Sequence, residues 1–83
     1  MNKELIKILK KIALTKPKKI TIITRIYEYV VTGKNFSFIY PFVFIYDAEY
    51  YYTGITQIIN IKQSDKHTTL INVNDILELD FEF

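Results

Sequence analysis

His67 is the only histidine in the 83 residues, and the chain has no cysteine. A structural or catalytic zinc site needs several imidazole, thiolate or carboxylate ligands drawn together. An activated serine needs a base within hydrogen-bond reach. Ser37 and Ser64 are the candidate nucleophiles, and nothing in the sequence brings either beside His67. His67 follows Lys66 at a polar turn and is read as a solvated residue. Gly33 and Gly54 are the only glycines, so no glycine-rich phosphate loop can be assembled. The expectation is a non-enzymatic protein without metal or cofactor.

Three other groups of residues have chemistry to offer. Glu78, Asp80 and Glu82 alternate with apolar residues and project from one face of a strand at intervals of about 7 Å. Such a row can contact a basic partner, and as an edge strand it also discourages aggregation. Phe36, Phe38, Tyr40, Phe42, Phe44 and Tyr46 occupy every even position of one segment, and Tyr50, Tyr51 and Tyr52 follow. Proteins that hold single-stranded nucleic acid stack bases on exposed rings beside cationic groups. The cations here are Lys3, Lys7, Lys10, Lys11, Lys16, Lys18, Lys19 and Arg25. The plain alternatives are that most rings are core beneath a helix and that the lysines only face water.

The net charge of +2 conceals a polarity. Residues 1–25 carry eight cations against Glu4, a balance of +7. Residues 26–46 balance Glu28 with Lys34. Residues 47–83 carry Asp47, Glu49, Asp65, Asp75, Glu78, Asp80 and Glu82 against Lys62 and Lys66, a balance of −5. The two ends either attract one another or face different partners. No run approaches 18 apolar residues, so no transmembrane helix is expected. The start shows no continuous apolar run after its lysines. With no disulfide framework either, a cytoplasmic location is expected.

These residues must be positioned by one small domain spanning 1–83. Leu5, Ile8, Leu9 and Ile12 recur at helical spacing, with Lys3, Lys7, Lys10 and Lys11 opposite, which gives an amphipathic helix over about 2–15. Pro17 ends it. Residues 20–31 fit helical spacing, with Gly33 as a cap, and also a strand. Their dense β-branching favours the strand, with Thr32-Gly33-Lys34-Asn35 as a hairpin turn. The segment 36–46 reads as one long strand bent at Pro41, with an aliphatic face inward and its aromatic face outside, partly under the helix. Asp47-Ala48-Glu49 reads as a turn, residues 50–63 as a strand bent at Gly54, Gln63-Ser64-Asp65-Lys66 as a turn, and 67–73 as a strand. A short 3₁₀ turn is expected at 72–75. A last strand follows, with Leu77, Leu79, Phe81 and Phe83 inward. Short turns in succession make a β-meander over about 20–83.

The run Tyr52-Thr53-Gly54-Ile55-Thr56-Gln57-Ile58-Ile59-Asn60-Ile61-Lys62, the polar turn, and Thr69-Leu70-Ile71-Asn72-Val73-Asn74-Asp75-Ile76-Leu77-Glu78-Leu79 resemble the closing half of SH3-like and Sm-like small barrels. They are also similar to the C-terminal part of YolD-like proteins of Gram-positive bacteria and their mobile elements. The likeness covers roughly 30 residues and is one of hydrophobicity and turns. It implies a barrel and a nucleic-acid- or protein-binding role, and it transfers no functional residue.

The expected fold is α+β: an N-terminal amphipathic helix on a strongly bent, five-stranded antiparallel sheet of small-barrel type. The expected function is nucleic-acid binding through the basic helix and Tyr50, Tyr51 and Tyr52. The other reading is a phage- or plasmid-type inhibitor or adaptor that meets a host protein through Glu78, Asp80 and Glu82 or through the aromatic face. An uncovered aromatic face also makes a homodimer an expectation; a membrane partner is not expected.

Overall fold

The computed structural model describes residues 3–52 and 63–83, with side chains over 3–52 and 66–83. Helix α1 spans Lys3–Thr15. Strands follow at β1 Lys19–Ile23, β2 Tyr27–Val31, β3 Phe36–Ile39, β4 Phe42–Tyr52, β5 Gln63–Asn72 and β6 Glu78–Glu82. The domain is α+β, with the helix packed on a curled antiparallel half-barrel.

Strand β4 is the hub. Its residues 42–50 pair with β5 along one side. On the other side, 42–45 pair with β3 and 49–52 with β2. Thus β2 and β3 lie end to end against β4, joined by a 3₁₀ turn at Gly33–Asn35. Strand β1 then pairs with β2, and β6 with β1. Among the described residues the sheet is therefore five strands wide although six strand segments build it.

The inward phase of the strands explains the core. Phe36 and Phe38 point inward from even positions, whereas Val43 and Ile45 point inward from odd ones. A hairpin through Tyr40 and Pro41, pairing Ile39 with Phe42, reverses the chain and makes this possible. At Asp47 the β4–β5 register slips, and Asp47 sits at φ 56°. Aspartate tolerates that left-handed backbone better than most residues. From Tyr46 to Ala48 strand β4 advances two residues while β5 passes three, from Thr68 to Asp65, so the extra residue of this bulge lies in β5; across it the inward phase of β4 moves from odd to even, to Ala48 and Tyr50.

Leu9 and Ile12 of α1 are fully buried against Ile20, Ile22, Val31, Phe36, Val43, Ile45 and Ile71. Burial of each such side chain contributes roughly 1.5–3 kcal/mol. After Thr15 the Lys16 N–H bonds to the Ile12 carbonyl at 2.9 Å, and Lys16 turns the chain at φ 50° before Pro17.

Several expectations are corrected. Residues 20–31 are extended, but as two strands, because Thr24 closes a tight hairpin. Its hydroxyl accepts from the Tyr27 N–H at 3.1 Å and donates to the Tyr27 carbonyl at 3.0 Å. The stretch 32–35 bends the chain without reversing it, and the reversal falls at 40–41. Segment 36–46 is thus two strands, and its rings divide: Phe36 and Phe38 point into the core, while Phe42, Phe44 and Tyr46 point outward. The helix covers the aliphatic, concave face, so it does not shield the outward rings. Residues 47–49 lie within β4 at the register shift and not in a turn, and 63–66 belong to β5. Tyr50–Tyr52 complete β4; the remainder of the strand expected over 50–63, with its bend at Gly54, lies outside the described residues. The chain is not a simple meander, because β2 pairs with β4 and β6 returns to β1.

The 3₁₀ turn at Val73–Asp75 is found, with the Asn72 side chain accepting from the Asn74 N–H at 2.9 Å. The alternation of the last strand is also found, but β6 lies at the rim. Leu79 packs on the core, whereas Leu77 and Phe83 are 59% and 69% exposed.

Candidate functional site

The outward face of the sheet can be read row by row, because directly paired residues point the same way. One row runs Tyr51, Glu28, Ile23, Glu78 and a second Glu49, Val30, Thr21, Asp80; Lys19 faces Glu82 in a third. Five carboxylates from β2, β4 and β6 therefore share one half of this face. Among the described residues, no three acidic or histidine side chains converge as a metal site would require.

The other half of the same face is apolar and aromatic. Ile39, Phe42 and Asn72 form one row, and Ser37, Phe44 and Leu70 the next. Tyr46 pairs with Thr68 beyond them. Ile39 and Leu70 are exposed, Tyr46 is 48% exposed, and the Phe42 and Phe44 rings stand 6.4 Å apart.

Two lysines border this aromatic half. Lys16, from the helix exit, and Lys34, from the 3₁₀ turn, line a shallow cavity of about 460 Å³ with Ser37, Phe44, Tyr46 and Thr68. Gly33 is what brings them together. Its N–H donates to the Pro17 carbonyl at 2.9 Å, and a Cβ at this position would overlap the same carbonyl oxygen. Only glycine permits so close a backbone approach.

The concave face carries a second ring cluster at its other end. Tyr27 pairs with Tyr52 and Tyr29 with Tyr50. Tyr27 lies 5.2–5.7 Å from Tyr52, Tyr50 and Tyr29. The Tyr27 hydroxyl is held above its ordinary acidity range, first by its hydrogen bond with Tyr52, then by the nearby Tyr52 charge, partial burial and Tyr50. A cavity of about 500 Å³ adjoins this cluster, lined by Arg25, Tyr27, Tyr29, Ile71, Asp75 and Leu77 among others.

The residues expected to bind nucleic acid are therefore only partly gathered. Lys3, Lys7, Lys10 and Lys11 are exposed along α1, with Lys16 and Lys18 at its exit. Lys19 is apart from them, opposite Glu82 and lining a cavity with Glu28 and Glu49. Arg25 is at the β1–β2 turn. The three tyrosines are split: Tyr50 and Tyr52 face the concave side, while the Tyr51 hydroxyl donates to Glu49 Oε1 at 3.2 Å on the outward side. Glu78, Asp80 and Glu82 do share a face, and Glu28 and Glu49 join them. The sequence offered Phe44 and Tyr46 among six alternating rings without separating them from the inward Phe36 and Phe38, and it did not single out Lys34 as the cation beside them. The signal was present in the even aromatic positions, but the reversal at 40–41 decided which half of them faced outward.

No family model matches the chain, and neither the curated proteins nor the solved structures contain a significant match to it. The likeness to SH3-like, Sm-like and YolD-like proteins therefore rests on the sequence pattern alone. Among the described residues, no helix is long and apolar enough to cross a membrane.

Proposed function

We propose that this chain is a non-enzymatic nucleic-acid-binding module. The observation that carries the reading is the placement of Lys16 and Lys34 in one cavity with Phe44 and Tyr46. Cations neutralise phosphates and release counterions, while rings supply stacking surface; the two together are what a polynucleotide requires. Charge segregation supports it as well. The carboxylates of β2, β4 and β6 occupy one half of the outward face while Lys16 and Lys34 border the other, so a polyanion is drawn to the ring-bearing half and repelled from the acidic one. The test is binding of labelled oligonucleotides across a salt series, with Lys16→Glu plus Lys34→Glu as the variant. Binding that weakens with salt and is abolished in the variant supports the reading. Binding unchanged in the variant removes it.

A second reading is a protein-binding inhibitor or adaptor of phage or plasmid type. Its support is the carboxylate-bearing half of the outward face, where Glu28, Glu49, Glu78, Asp80 and Glu82 stand in adjoining rows. Glu78→Lys plus Asp80→Lys would abolish function under this reading and leave it intact under the first.

A further inference from the structure

We infer that the outward rings of β4 form a single-strand platform, seating one unpaired base each on Phe42, Phe44 and Tyr46. This deepens the nucleic-acid reading and rests on it.

The three rings occupy alternate positions of one strand, so they repeat about every 6.6 Å; the 6.4 Å between the Phe42 and Phe44 rings agrees. Stacked nucleotides in a duplex rise only about 3.4 Å each. A strand that places one base on each ring must therefore be drawn out to nearly twice that rise, with its bases unpaired. A duplex can meet neither condition.

The flanks suit such a strand. Ile39 and Leu70 give apolar walls beside Phe42 and Phe44, and Ser37, Thr68 and Asn72 give short polar groups for base edges. Lys16 and Lys34 stand on one side of the ring row, where a phosphate backbone would run. The row also has an end. Past the bulge, the next outward residue of β4 is Glu49, beside Val30 in the carboxylate rows. A fourth phosphate would enter a repulsive field, which sets the platform at three nucleotides.

The experiment compares oligothymidylates of increasing length with a hairpin duplex of matched charge, by fluorescence anisotropy at low and moderate salt. Single strands are expected to bind at least tenfold tighter than the duplex. Tyr46→Ala, and separately Phe44→Leu, which keeps an apolar side chain while removing the ring, should each weaken single-strand binding roughly fivefold to a hundredfold. Neither should change the salt slope. Lys34→Ala should instead flatten that slope by about 0.7 for the one phosphate lost. Equal affinity for single strand and duplex overturns this inference but keeps the nucleic-acid reading. So does wild-type binding by the Tyr46→Ala protein, whose exposed ring can be removed without unfolding the domain. Failure of every oligonucleotide to bind at low salt overturns the nucleic-acid reading itself.

Discussion

The backbone N–H of Gly33 donates to the carbonyl of Pro17 at 2.9 Å, tying the exit of the helix to the bend between β2 and β3. Two parts of the chain that are separate in sequence thereby deliver Lys16 and Lys34 to the same cavity.

Gly33→Ala should break that tie. The added methyl meets backbone atoms of Lys16 and Pro17, which cannot rotate away as a flexible side chain would. Overpacking of this kind costs about 1–3 kcal/mol. In a domain of this size each kcal/mol lowers Tm by roughly 4–8 °C. Calorimetry or a circular dichroism melt reads the loss. An unchanged Tm would mean that the two segments separate freely and that Lys16 and Lys34 are not held as a pair.

Phe36 and Phe44 should respond very differently to truncation, although the sequence presents them as equivalent members of one alternating row. Phe36 is 2% exposed and packs in the core, so Phe36→Ala should cost about 3–5 kcal/mol. Phe44 is half-buried on the outward face, so Phe44→Ala should cost no more than about half of that. Urea midpoints of the two variants decide it. Equal losses would mean that the rings are not divided by the turn at Tyr40 and Pro41.

The pair Tyr27 and Tyr52 makes a prediction for alkaline pH. The folded state holds the Tyr27 hydroxyl above its ordinary value near 10, with the Tyr52 hydrogen bond as the largest cause. The folded state therefore keeps a proton that the unfolded chain releases. The contribution to stability is complete below pH 10 and is lost as pH rises through the folded value. In Tyr52→Phe the hydrogen bond and the second phenolate both disappear, so Tyr27 should titrate closer to 10. Ring-carbon NMR shifts followed across that range measure it; an unmoved Tyr27 titration would show that Tyr52 is not its main perturber.

Much of the fold was legible because its cause is local. The stripe Leu5, Ile8, Leu9 and Ile12 specifies the helix, and the alternation of Leu77 to Phe83 specifies the last strand. Asn72 and Asn74 mark the 3₁₀ turn. What was not legible depended on pairings between distant residues. The register shift at Asp47 and the reversal at Tyr40 and Pro41 each change which parity faces inward. A single ring's destination, and so the make-up of the candidate site, follows from both events together. Thr24 illustrates the same limit on a smaller scale. A threonine inside a β-branched run gives no turn signal until its hydroxyl is seen bonding both backbone groups of Tyr27. Lys19 was assigned with the other lysines because it follows Lys18, yet strand alternation turns it toward Glu82.

The return of β6 to β1 bears on the order in which the sheet assembles. Hairpins β1–β2 and β3–β4 close over short loops and carry little closure entropy. Ile20 and Phe81, by contrast, partner one another from opposite ends of the chain. Pairings so distant in sequence are slow to form. Until β6 pairs with it, the side of β1 away from β2 is an open sheet edge. That interval is when the chain is most open to pairing with a stranger. The acidic residues of β6, which arrive last on that side, then border the finished sheet with a row of charge that resists further strand addition.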